Sequence, residues 1–359
     1  MDSSAPILKC SDATKKIKEK VLGLGFDLVG ITSATSSSHH AFFEAWLDKG
    51  YAGEMLYLEK GRQKRGNPQL ILSGAKSMIC CALNYYTGEK SKVKNQEMGK
   101  ISNYGWGKDY HKVVLTKLEE VEKFIHESIS PIAKTKSYVD TGPILERSYA
   151  QRAGLGWIGK NTLLIHPQKG SFLFLGEILT DLELVYDAPF NFNHCGTCKR
   201  CLDACPTQAF KGPGVLDARA CISYWTLEHR GVIPPEQRSG MGDHLAGCDI
   251  CQEVCPWNRD PIVTSVEDFF PRESLNEKGP GTLSLEKISE FTPEEFQTLF
   301  FESPLKRLKY EGLLRNAVIV MGNSGEKEFL PTLKAMKEKI QNIIIQEHVD
   351  WAIRKLSII

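Results

Sequence analysis

Eight of the eleven cysteines fall between Cys195 and Cys255, and this clustering restricts the possible fold more than any other feature of the chain. The stretch CGTCKRCLDACP (195–206) has the C-x2-C-x2-C-x3-C-P spacing with which bacterial ferredoxins bind iron–sulfur clusters. In such a run three thiolates bind one cluster, and the fourth reaches a second cluster. The segment therefore predicts two clusters and needs a second set of cysteines.

The second set lies in CDICQEVCP (248–256), where a symmetric repeat would place a further cysteine at Leu245. Cys221 is the obvious replacement for that missing ligand. Crossing the fourth ligands assigns one [4Fe–4S] cluster to Cys195, Cys198, Cys201 and Cys255, and the other to Cys205, Cys221, Cys248 and Cys251. The alternative is structural zinc, which also takes four cysteines but usually as two separated C-x2-C pairs.

The balanced charge of the chain names no partner, and the sequence shows no pattern typical of secretion or of a membrane span. The chain has 45 Lys+Arg against 44 Asp+Glu and is 42% hydrophobic, which is typical of an ordinary globular protein. The start MDSSAPILKC lacks the pattern of a secretory signal, and no stretch reaches the roughly 18 apolar residues of a membrane span. We therefore expect a cytoplasmic protein without membrane contact, in which thiols stay reduced and serve metal or redox chemistry.

The 359 residues suggest an α+β multidomain protein with three parts: an α/β domain over 1–190, the cysteine-rich segment over 191–260, and a helical part over 261–359. Helices are predicted over 12–22 and 110–129. Strands are predicted at 26–32, 77–85, 136–140 and 161–165, and a solvated loop at 87–100. Cys80 and Cys81 are adjacent on a predicted strand, so they point to opposite faces and are interpreted as core residues.

The last part is amphipathic and helical. TPEEF predicts a helix start with Thr292 as N-cap and Glu295 closing a capping box, and a break is expected at 322–325. Short antiparallel helices of this kind indicate an α-solenoid repeat. Basic residues along it include Lys306, Arg307, Lys309, Arg315, Lys334, Lys337 and Arg354. They form either a solvated face or an RNA contact, since RNA binding needs phosphate contacts.

The stretch GLGWIGKN (154–161) fits G-x-G-x-x-G and part of a P-loop. Either motif must follow a strand and open a helix, because the phosphate lies on the helix N-terminus. Here a helix-like stretch comes before the glycines and a strand-like one after them. Asn161 also stands where a P-loop requires Ser or Thr. Nucleotide binding is therefore disfavoured.

The motif VDTGPILERSYAQRAGLGWIGKNTLLI, followed by the two cysteine sets and by CISYWTLEHRG, resembles the epoxyqueuosine reductase family, iron–sulfur and cobalamin enzymes of tRNA modification. The resemblance covers nearly the whole chain and includes RGNPQLILSGAKSMICCALNYY, GKDYHKVV and LRNAVIVMGNSG. It implies an α/β cobalamin-binding domain, a ferredoxin-like module with two [4Fe–4S] clusters, and a C-terminal HEAT-like repeat as the tRNA contact.

The resemblance implies the last step of queuosine biosynthesis: reduction of epoxyqueuosine to queuosine at the wobble position of tRNA, with two electrons and two protons. The family's proton donor falls on Asp140, which also faces the cofactor. Alone, an Asp before Thr-Gly-Pro is typical of a turn cap. As a donor it must be protonated, so we expect burial to raise its pKa. Further expected cobalamin contacts are Arg65, Arg147, Lys160, Ser223, Tyr224 and Thr226.

The expected partners are a queuosine-type tRNA anticodon loop and an external electron donor, and we expect a monomer. The residues alone leave two other functions possible. One is a cobalamin-dependent reductase of a small molecule, similar to reductive dehalogenases. The other is a ferredoxin-type electron carrier, which predicts clusters without corrinoid.

Overall fold

The computed structural model describes residues 9–89 and 97–358. Its strands are β1 (Leu28–Ser33), β2 (Ser77–Asn84), β3 (Met98–Ile101), β4 (Thr135–Tyr138), β5 (Trp157–Ile158), β6 (Leu164–Ile165), β7 (Leu173–Thr180), β8 (Phe210–Gly212), β9 (Val215–Leu216), β10 (His244–Ala246) and β11 (Thr282–Ser284). Its α-helices are α1 (Cys10–Gly23), α2 (His40–Asp48), α3 (Leu56–Lys60), α4 (Arg62–Gly66), α5 (Tyr110–Phe124), α6 (Glu146–Arg152), α7 (Arg200–Asp203), α8 (Ile222–Leu227), α9 (Pro235–Arg238), α10 (Ile250–Glu253), α11 (Leu285–Glu290), α12 (Pro293–Leu299), α13 (Tyr310–Ser324), α14 (Phe329–Lys339) and α15 (Ile343–Ile358).

A four-stranded sheet in the order β1-β2-β7-β4 frames the N-terminal part, and all its neighbouring strands are antiparallel. Apolar residues of α1 and α5 pack on one face of the sheet, and those of α6 pack on the other. Cys81 belongs to the first core and Cys80 to the second, and both are fully buried. The prediction that they are core residues on opposite faces is confirmed.

The mixed helix and sheet composition is confirmed, with α1, α5, β1, β2 and β4 close to their predicted positions. The prediction for 161–165 was largely wrong, because only Leu164–Ile165 forms a strand, paired with β5 in a small hairpin. The central strand β7 was not predicted. β7 is paired on both sides, and both of its faces are covered. Because neither face meets solvent, its sequence LFLGEILT lacks a clear two-residue alternation of apolar and polar residues.

A second sheet, in the order β10-β3-β11, joins the three predicted parts of the chain. β3 pairs in parallel with β10 and antiparallel with β11. It lies at the end of the predicted loop 87–100, so that prediction was wrong for 98–100, while 90–96 fall outside the described residues. A shared core of Ile101, Trp106, Leu245 and residues of the C-terminal helices covers this sheet.

From Leu285 onward the C-terminal part is mainly helical, as predicted, whereas 261–284 contain only short 3-10 turns and strand β11, so the prediction was wrong for that segment. Thr292 and Glu295 form the predicted capping box at the start of α12. α13 ends at Ser324, where Gly325 takes the left-handed conformation (φ 79°) that glycine adopts without strain. None of the helices in residues 9–89 and 97–358 is long and apolar enough to cross a membrane.

Candidate active site and cysteine groups

The first predicted cysteine group surrounds one cavity. Cys195, Cys198, Cys201 and Cys255 line a space of about 230 Å3 together with His194, Pro256 and Trp257. This volume exceeds that of a single water several-fold, so the cavity has room for a polyatomic group. Burial, followed by the neighbouring thiols of the group, raises the pKa of Cys201. The donor set consists of thiols alone, which is what an iron–sulfur cluster takes.

The second predicted group is also brought together. The pKa of Cys248 is raised by burial first and then by neighbours that include Cys221 and Cys205, and Cys251 is affected in the same way by Cys248 and Cys221. Burial raises the pKa of the Cys221 thiol, and the neighbouring Ser223 and Tyr224 partly oppose this effect. Among the described residues, no three His, Cys, Asp or Glu side chains form a group that could hold a single metal ion.

The end of the glycine stretch 154–161 borders the first cysteine group, because Lys160 and Asn161 line the same cavity. The stretch follows α6 and leads into the β5–β6 hairpin, so neither phosphate-binding motif has the helix that it requires. Gly156 has a φ of 151°, and a Cβ there would lie 2.2 Å from the Ile165 carbonyl oxygen. Trp157 Nε1 donates to Cys195 Sγ at 3.5 Å, and Lys160 Nζ donates to the carbonyl of Cys198 at 2.8 Å.

Asp140 follows β4 and lies in the left-handed region (φ 55°), which is strained for a residue with a side chain. Its Oδ2 accepts a hydrogen bond from the Tyr110 hydroxyl at 3.1 Å and faces His111 Nε2 at 3.4 Å. The other ring nitrogen of His111 is 2.7 Å from an oxygen of Asp109, the N-cap of α5. Because carboxylates face both ring nitrogens, a doubly protonated imidazolium fits this site best.

The protonation expected for Asp140 is corrected by these contacts. Burial pushes its pKa upward, but the hydrogen bond and charge of His111 and the hydrogen bond from Tyr110 outweigh burial and hold it below the usual value. Burial lowers the pKa of His111, while Asp109 and Asp140 together raise it to about 9. At neutral pH the proton of this pair therefore lies on His111, and the Asp140 side chain is 50% exposed.

Two side chains hold the turn that carries Asp140. Arg65 is buried, and its Nη1 donates to the carbonyl oxygens of Gly142 at 3.2 Å and Ile144 at 3.1 Å. Glu146 Oε1 accepts the backbone N–H of Asp140 at 2.5 Å. Arg65 Nε has no hydrogen-bond partner in the described part of the chain. The strained conformation is therefore fixed from both sides.

The other predicted cofactor contacts lie in two places. Arg147 is exposed and donates to the Thr162 carbonyl at 2.6 Å. Thr162 lies between β5 and β6, in the same turn from which Lys160 contacts the first cysteine group. Tyr224 and Thr226 are buried on α8 next to Cys221. Thr226 Oγ1 donates to the carbonyl of Ile222 and accepts the Gly247 N–H.

The basic residues of the C-terminal part divide into exposed and buried ones. Arg307 lies near Asp140: it pairs with Glu228 and stacks over the ring of Tyr57, and its charge also lowers the pKa of Asp140. Lys306, Lys309, Lys334 and Arg354 are exposed. Arg315 is only 1% exposed and donates to the carbonyls of Trp225, His229 and Gly231. Both interpretations of the basic residues, a solvated face or an RNA contact, placed Arg315 at the surface, and for this residue both were wrong.

Two family models match the chain. Residues 194–258 match a 4Fe-4S double cluster binding domain, and residues 65–141 match the model described as Epoxyqueuosine reductase QueG, DUF1730. Epoxyqueuosine reductase from Pseudomonas aeruginosa is 39% identical over 346 residues, which is 95% of this chain and 94% of that protein. The chain belongs to the epoxyqueuosine reductase family. The family's Escherichia coli enzyme is 38% identical over 349 residues, 96% of this chain and 90% of that protein.

Solved structures of epoxyqueuosine reductases have the same fold. The Bacillus subtilis enzyme, in which the loop with the catalytic Asp is swung out of the active site, superimposes with a TM-score of 0.85 at 29% identity, over 95% of this chain and 90% of that one. An epoxyqueuosine reductase bound to an epoxyqueuosine-modified tRNA-Tyr stem loop gives a TM-score of 0.85 at 27% identity, over 96% and 98% of the chains. The predicted family resemblance is confirmed.

Tyr110, His111 and Glu146 received no role in the sequence analysis, although all three lie in motifs that carry the family resemblance. Their contacts with Asp140 depend on the packing of α5 and α6 beside β4. The only sequence signal was the run Asp109-Tyr110-His111 at a helix start, where a second acid precedes a titratable ring.

Proposed function

We propose that this protein reduces epoxyqueuosine to queuosine in tRNA, with two [4Fe–4S] clusters and cobalamin as cofactors. The observation that carries the proposal is the 39% identity with the Pseudomonas aeruginosa epoxyqueuosine reductase across 95% of the chain. The double-cluster segment and the Asp140 site agree with this function. Since its substrate is tRNA, we expect the enzyme in the cytoplasm, acting as a monomer with an external electron donor.

The proposed cluster ligands are the two groups of four cysteines described above, and their thiol-only chemistry fits that role. Cobalamin also fits the described residues, because two buried donors next to its expected contacts have no hydrogen-bond partner: Arg65 Nε and Trp225 Nε1. A ligand fringed with amides would satisfy such donors. We propose that Asp140, Arg65 and Arg147, with Ser223, Tyr224 and Thr226, contribute to holding it. Lys160 stays a proposed contact, and its Nζ also donates to the Cys198 carbonyl beside the first cysteine group.

Conversion of an epoxide to an alkene and water consumes two electrons, which these groups would supply when bound. The chain itself supplies protons. We propose Asp140 as the residue that protonates the epoxide oxygen, with His111 as its proton-bearing neighbour. Charge developing on that oxygen in the transition state favours transfer of the proton from the His111–Asp140 pair. Arg65 and Glu146 keep Asp140 in position, because they hold its turn on either side.

We propose the C-terminal part, a HEAT-like helical repeat, as part of the tRNA contact. Its basic residues Lys306, Arg307 and Lys309 are exposed on the segment that brings Arg307 near Asp140. RNA phosphates bind such side chains, and a wobble base must leave its stack to reach a carboxylate in a cleft. The proposed division into a cobalamin domain (1–190), a cluster domain (191–260) and a helical domain (261–359) places the substrate where all three parts meet.

The experiment that tests this function is anaerobic purification after expression with cobalamin, followed by quantification of iron, sulfide and corrinoid. About eight irons and one corrinoid per chain support the proposal, because two [4Fe–4S] clusters contain eight irons. Eight irons without corrinoid, even after reconstitution, indicate an electron carrier instead. A cofactor-loaded enzyme that leaves an epoxyqueuosine stem loop unchanged excludes the proposed substrate.

A further inference from the structure

A second acidic pair lies behind Asp140. Glu177, on the central strand β7, is completely buried, and neither of its carboxyl oxygens has a hydrogen-bond partner among the described residues. It faces α6, on the same side of the sheet as its cross-strand neighbour Cys80. A buried carboxyl without a donor is costly unless it is neutral, so this residue needs an explanation.

The carboxyl of Glu146 lies within hydrogen-bonding reach of Glu177. Two carboxylates have no hydrogen to share, so they repel each other unless one of them carries a proton. In the described part of the chain neither residue lies within ion-pair distance of a cation, and the charges of Arg65 and Arg147 act on Glu146 only from farther away. The buried carboxyl of Glu177, without a donor and beside Glu146, therefore favours one proton held between the two carboxyl groups, as in other close carboxyl pairs.

The electrostatics agree with this geometry. Burial, followed by the charge of Asp140, raises the pKa of Glu146 to about 8. Burial, followed by Glu146, raises the pKa of Glu177 well above its usual value. The pair thus keeps a proton at neutral pH, next to a residue whose own pKa is held low.

The pair is also connected to Asp140. Glu146 Oε1 accepts the Asp140 backbone N–H at 2.5 Å, so its carboxyl lies beside the residue that meets the substrate. The proposed reaction consumes two protons, whereas a single carboxyl group carries only one at a time. The His111–Asp140 pair carries one such proton at neutral pH, so the second must come from another group or from solvent.

We propose that Glu146 and Glu177 hold one shared proton behind Asp140 and pass it to the Asp140 carboxylate after the proton of the His111–Asp140 pair has gone to the substrate. The inference that the two carboxyl groups share a proton depends only on the buried pair. The inference that they supply this proton to Asp140 rests on the proposed function. In the supply step an O–H bond of the pair breaks and one forms on Asp140, directly or through one water. The pair then takes a proton from solvent, and the external reductant provides both electrons.

The test compares Glu177→Gln with the matched control Glu286→Gln, which removes the same charge from an exposed position on α11. Infrared spectra of the wild-type holoenzyme minus those of Glu177→Gln isolate the carboxylic acid C=O band. We expect this band at pH 7 and its loss as the pH rises through about 8. The groups that face the pair are Cys80, Tyr110, Tyr138, Asp140, Arg65 and Arg147. Glu286→Gln should leave the band unchanged.

Turnover of an epoxyqueuosine stem loop tests proton supply. In Glu177→Gln we expect kcat at pH 7 to fall about tenfold or more, with KM unchanged and partial recovery at lower pH, where solvent reprotonates Asp140 directly. No acid band in the wild type overturns the shared proton, and an unchanged kcat after loss of the band overturns proton supply. If Glu177→Gln does not fold, Glu146→Gln replaces it. Infrared spectra of the wild type at a series of pH values still show whether the carboxylic acid band is present and is lost as the pH rises. If the wild type itself lacks turnover, the proposed function fails separately.

Discussion

Replacing His111 with glutamine removes the cation that faces Asp140 while keeping a side chain of similar reach. His111 lies 3.4 Å from Asp140 and 2.7 Å from Asp109, and only 27% of its side chain is exposed. These carboxylates raise its pKa from 6.5 to about 9. At about 1.36 kcal/mol per pH unit the rise corresponds to roughly 3 kcal/mol. Because Asp140 is half exposed, solvent screening reduces the expected contribution to about 1–2 kcal/mol.

The sign of this contribution sets its pH range. Folding raises the pKa of His111, so its stabilisation is fully present below about pH 6.5 and is lost as the pH rises through about 9. Urea unfolding should therefore show His111→Gln less stable than the wild type by about 1–2 kcal/mol at pH 6. The two proteins should converge above pH 9. Turnover by His111→Gln should also fall, because the residue that carries the proton next to Asp140 is gone.

His126→Gln is the matched control, since this ring bonds the Thr135 hydroxyl and has no carboxylate partner among the described residues. It should show no pH-dependent difference of this kind. The reasoning about His111 is refuted if His111→Gln is as stable as the wild type at pH 6, or if its deficit persists unchanged at pH 10.

Three further variants test separate parts of the account. Asp140→Ala should keep both clusters and cobalamin but lose turnover, and full activity by mass spectrometry of the tRNA product contradicts its role as acid. Cys221→Ser should damage one cluster selectively and lower the iron content from about eight to about four, so two intact clusters by spectroscopy contradict the ligand set. Arg315→Met should lower the free energy of unfolding by about 3 kcal/mol in urea titrations, because two buried carbonyls and one part-buried carbonyl lose their donor. An unchanged midpoint would show that these hydrogen bonds contribute no net stability.

The features that sequence patterns predicted are those set by local spacing. The alternation of Cys80 and Cys81 across a strand follows from the two-residue period of β-structure. The capping box at Thr292 follows from residues three positions apart. The two cysteine groups follow from ligand spacing, and only the replacement at Cys221 required inference over a longer distance.

The features that were missed depend on contacts between distant segments. Arg315 belongs to a basic pattern, yet its partner carbonyls lie 84 to 90 residues earlier in the chain, and these contacts bury it. Asp140 was expected to gain a raised pKa from burial. Its actual neighbour His111, on a helix that begins 30 residues earlier, reverses that effect. The shared proton of Glu146 and Glu177 likewise requires β7 and α6 to pack together.

The most direct test of the central claim is conversion of a tRNA stem loop that carries epoxyqueuosine. The holoenzyme, with both clusters and cobalamin loaded, is incubated anaerobically with a chemical reductant, and the digested nucleosides are analysed by mass spectrometry. We expect the loss of one oxygen atom, with queuosine formed by the wild type and none by Asp140→Ala. An unchanged epoxyqueuosine peak with fully loaded wild-type enzyme would contradict the central claim.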